Sequence, residues 1–206
     1  MILTHNSQQF QLFLETVQKR KDTLRTELTN LLKTNCSFKT LEIGSGHGDF
    51  LVKYAQDYSE RFCLGVDLIT QRVETSQRKA QRAHLKHCFF LKARAEEVLE
   101  CQPKDFLWNE VIVLYPDPWP KRRHHKNRLF QMPFLSQLAS CVVPSTKIHF
   151  ETDDKNYFDE VCHRIDQHEA WTHIQCSSYA VDTLFSRRTG QKGYHAVFEC
   201  IKTKIE

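Results

Sequence analysis

What the chain lacks narrows its class. No stretch of about 18 apolar residues, the length a helical membrane span needs, occurs in the sequence. The opening residues, MILTHNSQQFQLFLETVQKRK, lack the charged start and apolar run of a secretory leader, so none is expected. There is no internal repeat and no low-complexity tract. Eight cysteines are present, but no two form a CxxC pair and most sit inside apolar runs. They are expected as reduced core residues of a soluble, cytoplasmic protein, with no metal site. A monomer or homodimer that touches no membrane is the expectation. The net charge of +4 is modest, so it does not by itself indicate nucleic acid. Its clustering says more than its total. Glycine and proline are scarce, six of each, and half of each falls in two short places: Gly44, Gly46 and Gly48, then Pro116, Pro118 and Pro120.

A chain of 206 residues makes one domain, here 1–206 with residues 1–35 as an N-terminal helical extension. Residues 8 to 33 have helical spacing and predict one or two helices. Phe10, Phe13, Leu14 and Val17 share one side, with Leu24, Leu28, Leu31 and Leu32 further on. Strand and helix then alternate. FKTLEIG (38–44), RFCLGVD (61–67), CFFLKA (88–93), EVIVLY (110–115) and TKIHFET predict strands. DFLVKYAQ (49–56), residues 70–85, MPFLSQLASCVV (132–143) and DKNYFDEVCHRI predict helices. WTHIQCSSYAVD and GYHAVFECI predict two late strands with no helix between them. The expected fold is α/β: a mostly parallel, seven-stranded, Rossmann-like sheet with helices on both faces and an antiparallel edge. Its ligand crevice lies at the carboxyl ends of the strands.

The segment LEIGSGHGDF places Gly44, Gly46 and Gly48 just past the first strand. Glycine there lets the backbone turn sharply and approach a ligand. A dinucleotide fingerprint would need its third glycine where Asp49 stands, and an acid at a helix N-terminus repels phosphate. Asp49 and Glu42 instead suit an ammonium or sulfonium. Asp67 ends the second strand, where a carboxylate can accept from both hydroxyls of a ribose. Together these features favour S-adenosylmethionine over NAD.

After the fourth strand comes LYPDPWPKRRHHKNRL. Pro116 and Pro118 stiffen the turn around Asp117, so the carboxylate has little entropy to lose on binding. Lys121, Arg122, Arg123, Lys126 and Arg128 follow as a concentrated field for phosphates. The expectation is that the acid reads a base while the cations hold the backbone beside it. Trp119 or Phe185 would stack on that base or pack in the core.

This block resembles the signature of bacterial tRNA (guanine-N7)-methyltransferases, the TrmB-type family. LEIGSGHGDFLV, GVD, ETDDKNYFDEV and TLFSRRTGQKGYHAVFE match that family in order, over roughly residues 38 to 200. The resemblance implies a class I methyltransferase fold, S-adenosylmethionine as cofactor, and methylation of guanosine 46 in the tRNA variable loop. Carried over, Glu42, Gly44, Gly46 and Gly48 would line the methionine end of the cofactor, and Asp67 would hold its ribose. Asp117 would be the active-site aspartate, with Lys121, Arg122, Arg123 and Lys126 near the tRNA. Asp153 and Thr183 would lie on the substrate side. Three positions depart from the family: Ser186 in place of glutamate, Arg94 in place of an acid near the adenine, and Leu114 in place of asparagine. Two other readings stay open. One is a methyltransferase for another RNA base or a protein; the other is an RNA-binding module that kept the fold with weakened catalysis.

Overall fold

The computed structural model describes residues 2–174 and 193–201. Helix α1 (Ile2–Leu31) precedes β1 (Lys39–Ile43), α2 (Asp49–Asp57), β2 (Phe62–Asp67), α3 (Thr70–Arg82), β3 (Cys88–Lys92), α4 (Ala95–Cys101) and β4 (Trp108–Leu114). A 3-10 turn (Arg122–Asn127) then leads to α5 (Met132–Ala139), β5 (Val142–Thr152), α6 (Lys155–Asp166), β6 (Trp171–Ile174) and β7 (Tyr194–Cys200). The strands form one sheet in the order β3-β2-β1-β4-β5-β7-β6.

Strands β1 to β5 are parallel. All six residues of β2 are buried. A parallel strand covered on both faces reads as an unbroken apolar run, which is why RFCLGVD is recognisable. The expected antiparallel edge is formed by the last two strands, with β7 one place inside β6. There β7 pairs antiparallel with both β5 and β6, so the edge strand β6 points the same way as β5.

Two apolar layers sandwich the sheet. On one face, Leu24, Leu28 and Leu32 join Val98 of α4, Leu135 and Leu138 of α5, and Val161 and Ile165 of α6. On the other, Leu51, Tyr54 and Ala55 of α2 meet Val73 and Ala80 of α3. Val73, Ser76 and Ala80 fall at helical spacing in an otherwise polar α3, so one stripe faces the sheet. Asp154 caps α6 by accepting the Tyr157 N–H at 2.7 Å.

The N-terminal segment is one helix, not two. Its two apolar stretches have different fates: Leu24, Leu28 and Leu32 are buried, while Phe10, Phe13 and Leu14 are exposed. Each buried leucine contributes roughly 1.5–3 kcal/mol. Lys21 adds a 2.6 Å ion pair to Glu100, and Arg20 pairs with Glu97. Both partners lie on α4, a short helix that sequence spacing did not reveal. The cysteines among the described residues are free; burial pushes the Cys63 thiol up to about 12. Cys176 lies outside the described residues. No described helix is long and apolar enough to cross a membrane. Among the described residues, no cluster of ligating side chains could hold a metal ion.

The topology sets the site. From β1 the chain runs outward one way through β2 and β3, and the other way through β4 and β5. The crevice of such a sheet opens where these directions part, between β1 and β4. Ile43 is the register partner of Val113. The glycine loop and the proline-rich turn therefore leave the sheet side by side.

Candidate active site

The loop after β1 is held by the strand beside it. Gly44 N–H and Ser45 N–H both donate to the Val66 carbonyl, at 2.9 and 3.0 Å. Gly44, Gly46 and Gly48 have φ of 75°, 55° and 73°, the left-handed region that favours glycine. The three are not equivalent. A Cβ on Gly44 or Gly46 would meet nothing within 4 Å, so the backbone there borders open space. A Cβ on Gly48 would lie 2.6 Å from that of Ser76, so Gly48 brings the loop against α3. Gly65, which sequence reading passed over, does similar work: its Cβ would meet the Phe90 ring at 2.6 Å and Ser45 at 2.9 Å. A glycine inside a strand signals such a close approach.

Acids line this cradle. Asp67 is buried, accepting the Gly46 N–H at 3.0 Å and the Ile69 N–H at 2.8 Å. Arg72 lies 3.7 Å from one of its oxygens, and the carboxylate still has room for a further donor. Glu42 is buried and its Oε2 has no partner. Burial first, then the Asp67 and Asp49 carboxylates, push its pKa well above the usual range. An orphaned buried carboxylate is costly unless a donor or cation meets it. The cradle therefore fits a ligand bearing positive charge and hydroxyls. Asp49 contributes less than its sequence position implied, because it is paired with Lys79.

Beside the cradle, residues 115–120 read Tyr-Pro-Asp-Pro-Trp-Pro. A following proline disfavours the right-handed helical region for Tyr115, Asp117 and Trp119. Tyr115 and Trp119 adopt φ of 49° and 47°. For a non-glycine residue this costs roughly 1–2 kcal/mol, so it persists only where neighbours enforce it. At the near end, Tyr115 N–H donates to the Glu151 carbonyl at 2.7 Å, and its hydroxyl donates to the Glu151 carboxylate. At the far end, Arg128 Nε donates to the Pro118 carbonyl at 2.7 Å. The turn is clamped at both ends, and Asp117 stands exposed between them.

Arg128 is the residue that sequence reading misjudged. The sequence pattern groups it with the phosphate-facing cations, yet it is 2% exposed. Its guanidinium donates to Glu160 and, at 3.0 Å, to Asn156, and it lies 4.9 Å from the Tyr157 ring centroid. The others differ. Lys121, Arg122, Arg123 and Lys126 are exposed, and among the described residues none has an ion-pair partner. In ETDD, Asp153 is exposed while Asp154 serves as the α6 cap. Trp119 packs edge-on against His124, with 5.8 Å between ring centroids. Arg94 is exposed at the start of α4. Thr183, Phe185 and Ser186 lie outside the described residues.

Comparison with known proteins places this arrangement. Residues 37–198 match the model of a family described as "Putative methyltransferase". The fold is shared with the solved 16S rRNA methyltransferase KamB, which is 16% identical with a TM-score of 0.61, over 85% of this chain and 93% of that one. Two bacterial relatives carry the name tRNA (guanine-N(7)-)-methyltransferase. The one from Alkalilimnicola ehrlichii is 32% identical over 177 residues, 82% of this chain and 73% of its own length. The one from Methylobacillus flagellatus is 32% identical over 180 residues, 85% of this chain and 75% of its own. The chain belongs to the tRNA (guanine-N(7)-)-methyltransferase family.

Two outcomes follow from the geometry. Because Glu42 has a raised pKa, the fold binds its proton more tightly than the unfolded chain does. Stability of the ligand-free protein should therefore fall as pH rises from the ordinary carboxylate range through the raised value. Glu42→Gln should remove that slope and leave Tm at pH 8 at or above wild type, while weakening cofactor binding. Parallel Tm–pH curves for the two proteins would contradict this. Separately, Arg128→Ala should destabilise by about 3 kcal/mol in urea unfolding, the low end for a broken buried pair. Arg164, 2.5 Å from Glu160, still neutralises that carboxylate.

Proposed function

We propose that this protein methylates N7 of guanine in tRNA with S-adenosylmethionine as donor, the target being guanosine 46 of the variable loop. One observation carries this reading. An acid-lined cradle that fits a cation and a rigid, exposed carboxylate followed by four exposed cations share one edge of the sheet. A cationic cofactor suits the first part and a polyanion suits the second.

In this reading Glu42 with Gly44, Gly46 and Gly48 borders the methionine end of the cofactor, and Asp67 holds the ribose. The orphaned Glu42 oxygen and the open space at Gly44 and Gly46 support that assignment. The bound cofactor supplies a methyl group carried on a sulfonium. Guanine N7 has an in-plane lone pair and no proton, so no residue has to remove one there. The chain's task is alignment, bringing the reacting atoms to about 3–3.5 Å. Asp117 and Asp153 accept from guanine N1–H and N2–H₂, a pattern adenine lacks. Their charges also offset the positive charge the base gains. Thr183 belongs to the same substrate side by its sequence match. Lys121, Arg122, Arg123 and Lys126 hold phosphates. Residues 1–206 work as one domain with 1–35 as its helical extension, a division supported by Leu24, Leu28 and Leu32 in the shared core.

Incubation with unmodified tRNA and methyl-labelled cofactor should put label in the tRNA, with chemical scission at N7-methylguanosine 46. Asp117→Ala should lose transfer by about 100-fold or more while still binding S-adenosylhomocysteine. Label in another base or in protein would overturn the substrate assignment, and full activity of the variant would overturn the role of Asp117. For the cations, Arg122→Ala, Arg123→Ala and Lys126→Ala combined should weaken tRNA binding. The slope of log K against log salt should become shallower by roughly 2 to 3. An unchanged slope would move the RNA surface elsewhere.

A further inference from the structure

We propose that Glu151 and Tyr115 are a positioning pair that sets the direction of Asp117. The proposal rests on the role given to Asp117 above. Leu114, the last residue of β4, is the register partner of Glu151 on β5. The next residue, Tyr115, is where the chain leaves the sheet with a positive φ of 49°. Glu151 holds it twice. Its main-chain carbonyl accepts the Tyr115 N–H at 2.7 Å, and its carboxylate accepts the Tyr115 hydroxyl. The first contact holds the main chain, and the second adds a hold on the side chain. The two together pin both the backbone and the side chain, and Asp117 lies only two residues on.

A third strand makes room for this pair. Gly193 precedes β7, whose His195 is the register partner of Glu151. A Cβ on Gly193 would lie 2.9 Å from the Tyr115 hydroxyl and 3.0 Å from both Cγ and Oε1 of Glu151. Gly193 is not among the glycines with positive φ. Its lack of a side chain is therefore what the pair needs, and not freedom of its backbone. A phenylalanine at 115 would fill the same volume without asking for a half-buried acid. Burial pushes the pKa of both Glu151 and Tyr115 upward, so the pair is not the cheapest way to fill this space. What the polar pair adds over an apolar contact is direction.

The test compares Tyr115→Phe, Glu151→Leu, which removes the acceptor, their combination, and Gly193→Ala in the full chain. Steady-state methyl transfer to tRNA, affinity for S-adenosylhomocysteine and Tm are measured for each. Each single change should lower kcat by roughly 10- to 100-fold, as a small misplacement of a reacting group does. KM for tRNA and cofactor affinity should stay within about twofold, since neither contact binds a ligand. The double variant should be no slower than the slower single one, because both remove the same interaction. Gly193→Ala should reproduce the effect by crowding the same hydrogen bond. Additive losses, or a raised KM with unchanged kcat, would overturn the pairing. If Asp117→Ala is inactive but these variants transfer at the wild-type rate, the pairing alone is wrong. If Asp117→Ala is active, the underlying reading of Asp117 is wrong.

Discussion

The guanidinium of Arg128 is the contact on which the proline-rich edge of the sheet depends. It is buried at the end of a run of cations that otherwise face outward. Three of its directions are taken: the Pro118 carbonyl, Asn156 and Glu160. The first belongs to the proline-rich turn and the other two to α6, so one side chain ties the turn to a helix anchored in the core. A planar fork does this better than an ammonium, because its donors have fixed relative directions. Without that tie, the left-handed residues at 115 and 119 would have less to hold them, and Asp117 would lose its fixed aim.

Two fields of opposite sign meet at this edge. The cradle past β1 is acidic, with one oxygen of the buried Glu42 left unpartnered inside it. The rim past β4 is basic, with four exposed cations. In the proposed function, a sulfonium donor and a phosphate chain are each drawn to one side and turned away from the other. The arrangement is not optimal for the empty fold, since a buried carboxylate without a partner weakens it. Such local cost at a binding site is the familiar exchange of stability for function.

Much of this was legible in the sequence, and the parts that were not share a cause. The glycine loop, Asp67 and the PDPWP turn announce themselves through local rules: glycine where φ turns positive, an acid at a strand end, prolines that stiffen a loop. Arg128 and Glu151 act through partners 32 and 36 residues away. No spacing rule separates a buried arginine from the exposed ones beside it. The stripe of Phe10, Phe13 and Leu14 shows the same limit, since helical periodicity tells which residues share a face but not what covers it. Asp153 and Asp154 are a milder case. The N-cap preference for aspartate ahead of an apolar-periodic segment would have marked one of the pair as structural. Glu151 lies in the predicted strand TKIHFET, but nothing in the sequence marks it as the partner of Tyr115.

The position of β7 has a consequence for synthesis. Strands β1 to β4, with the cradle and its acids, are contiguous in the chain and pair with one another. The far side of the sheet cannot close until β7, residues Tyr194–Cys200, inserts between β5 and β6. Domains emerge from the ribosome N-terminal part first, and long-range pairing is slow. The half of the sheet that carries the cradle can therefore take shape while the segment that brings Gly193 against Tyr115 and Glu151 is still being made.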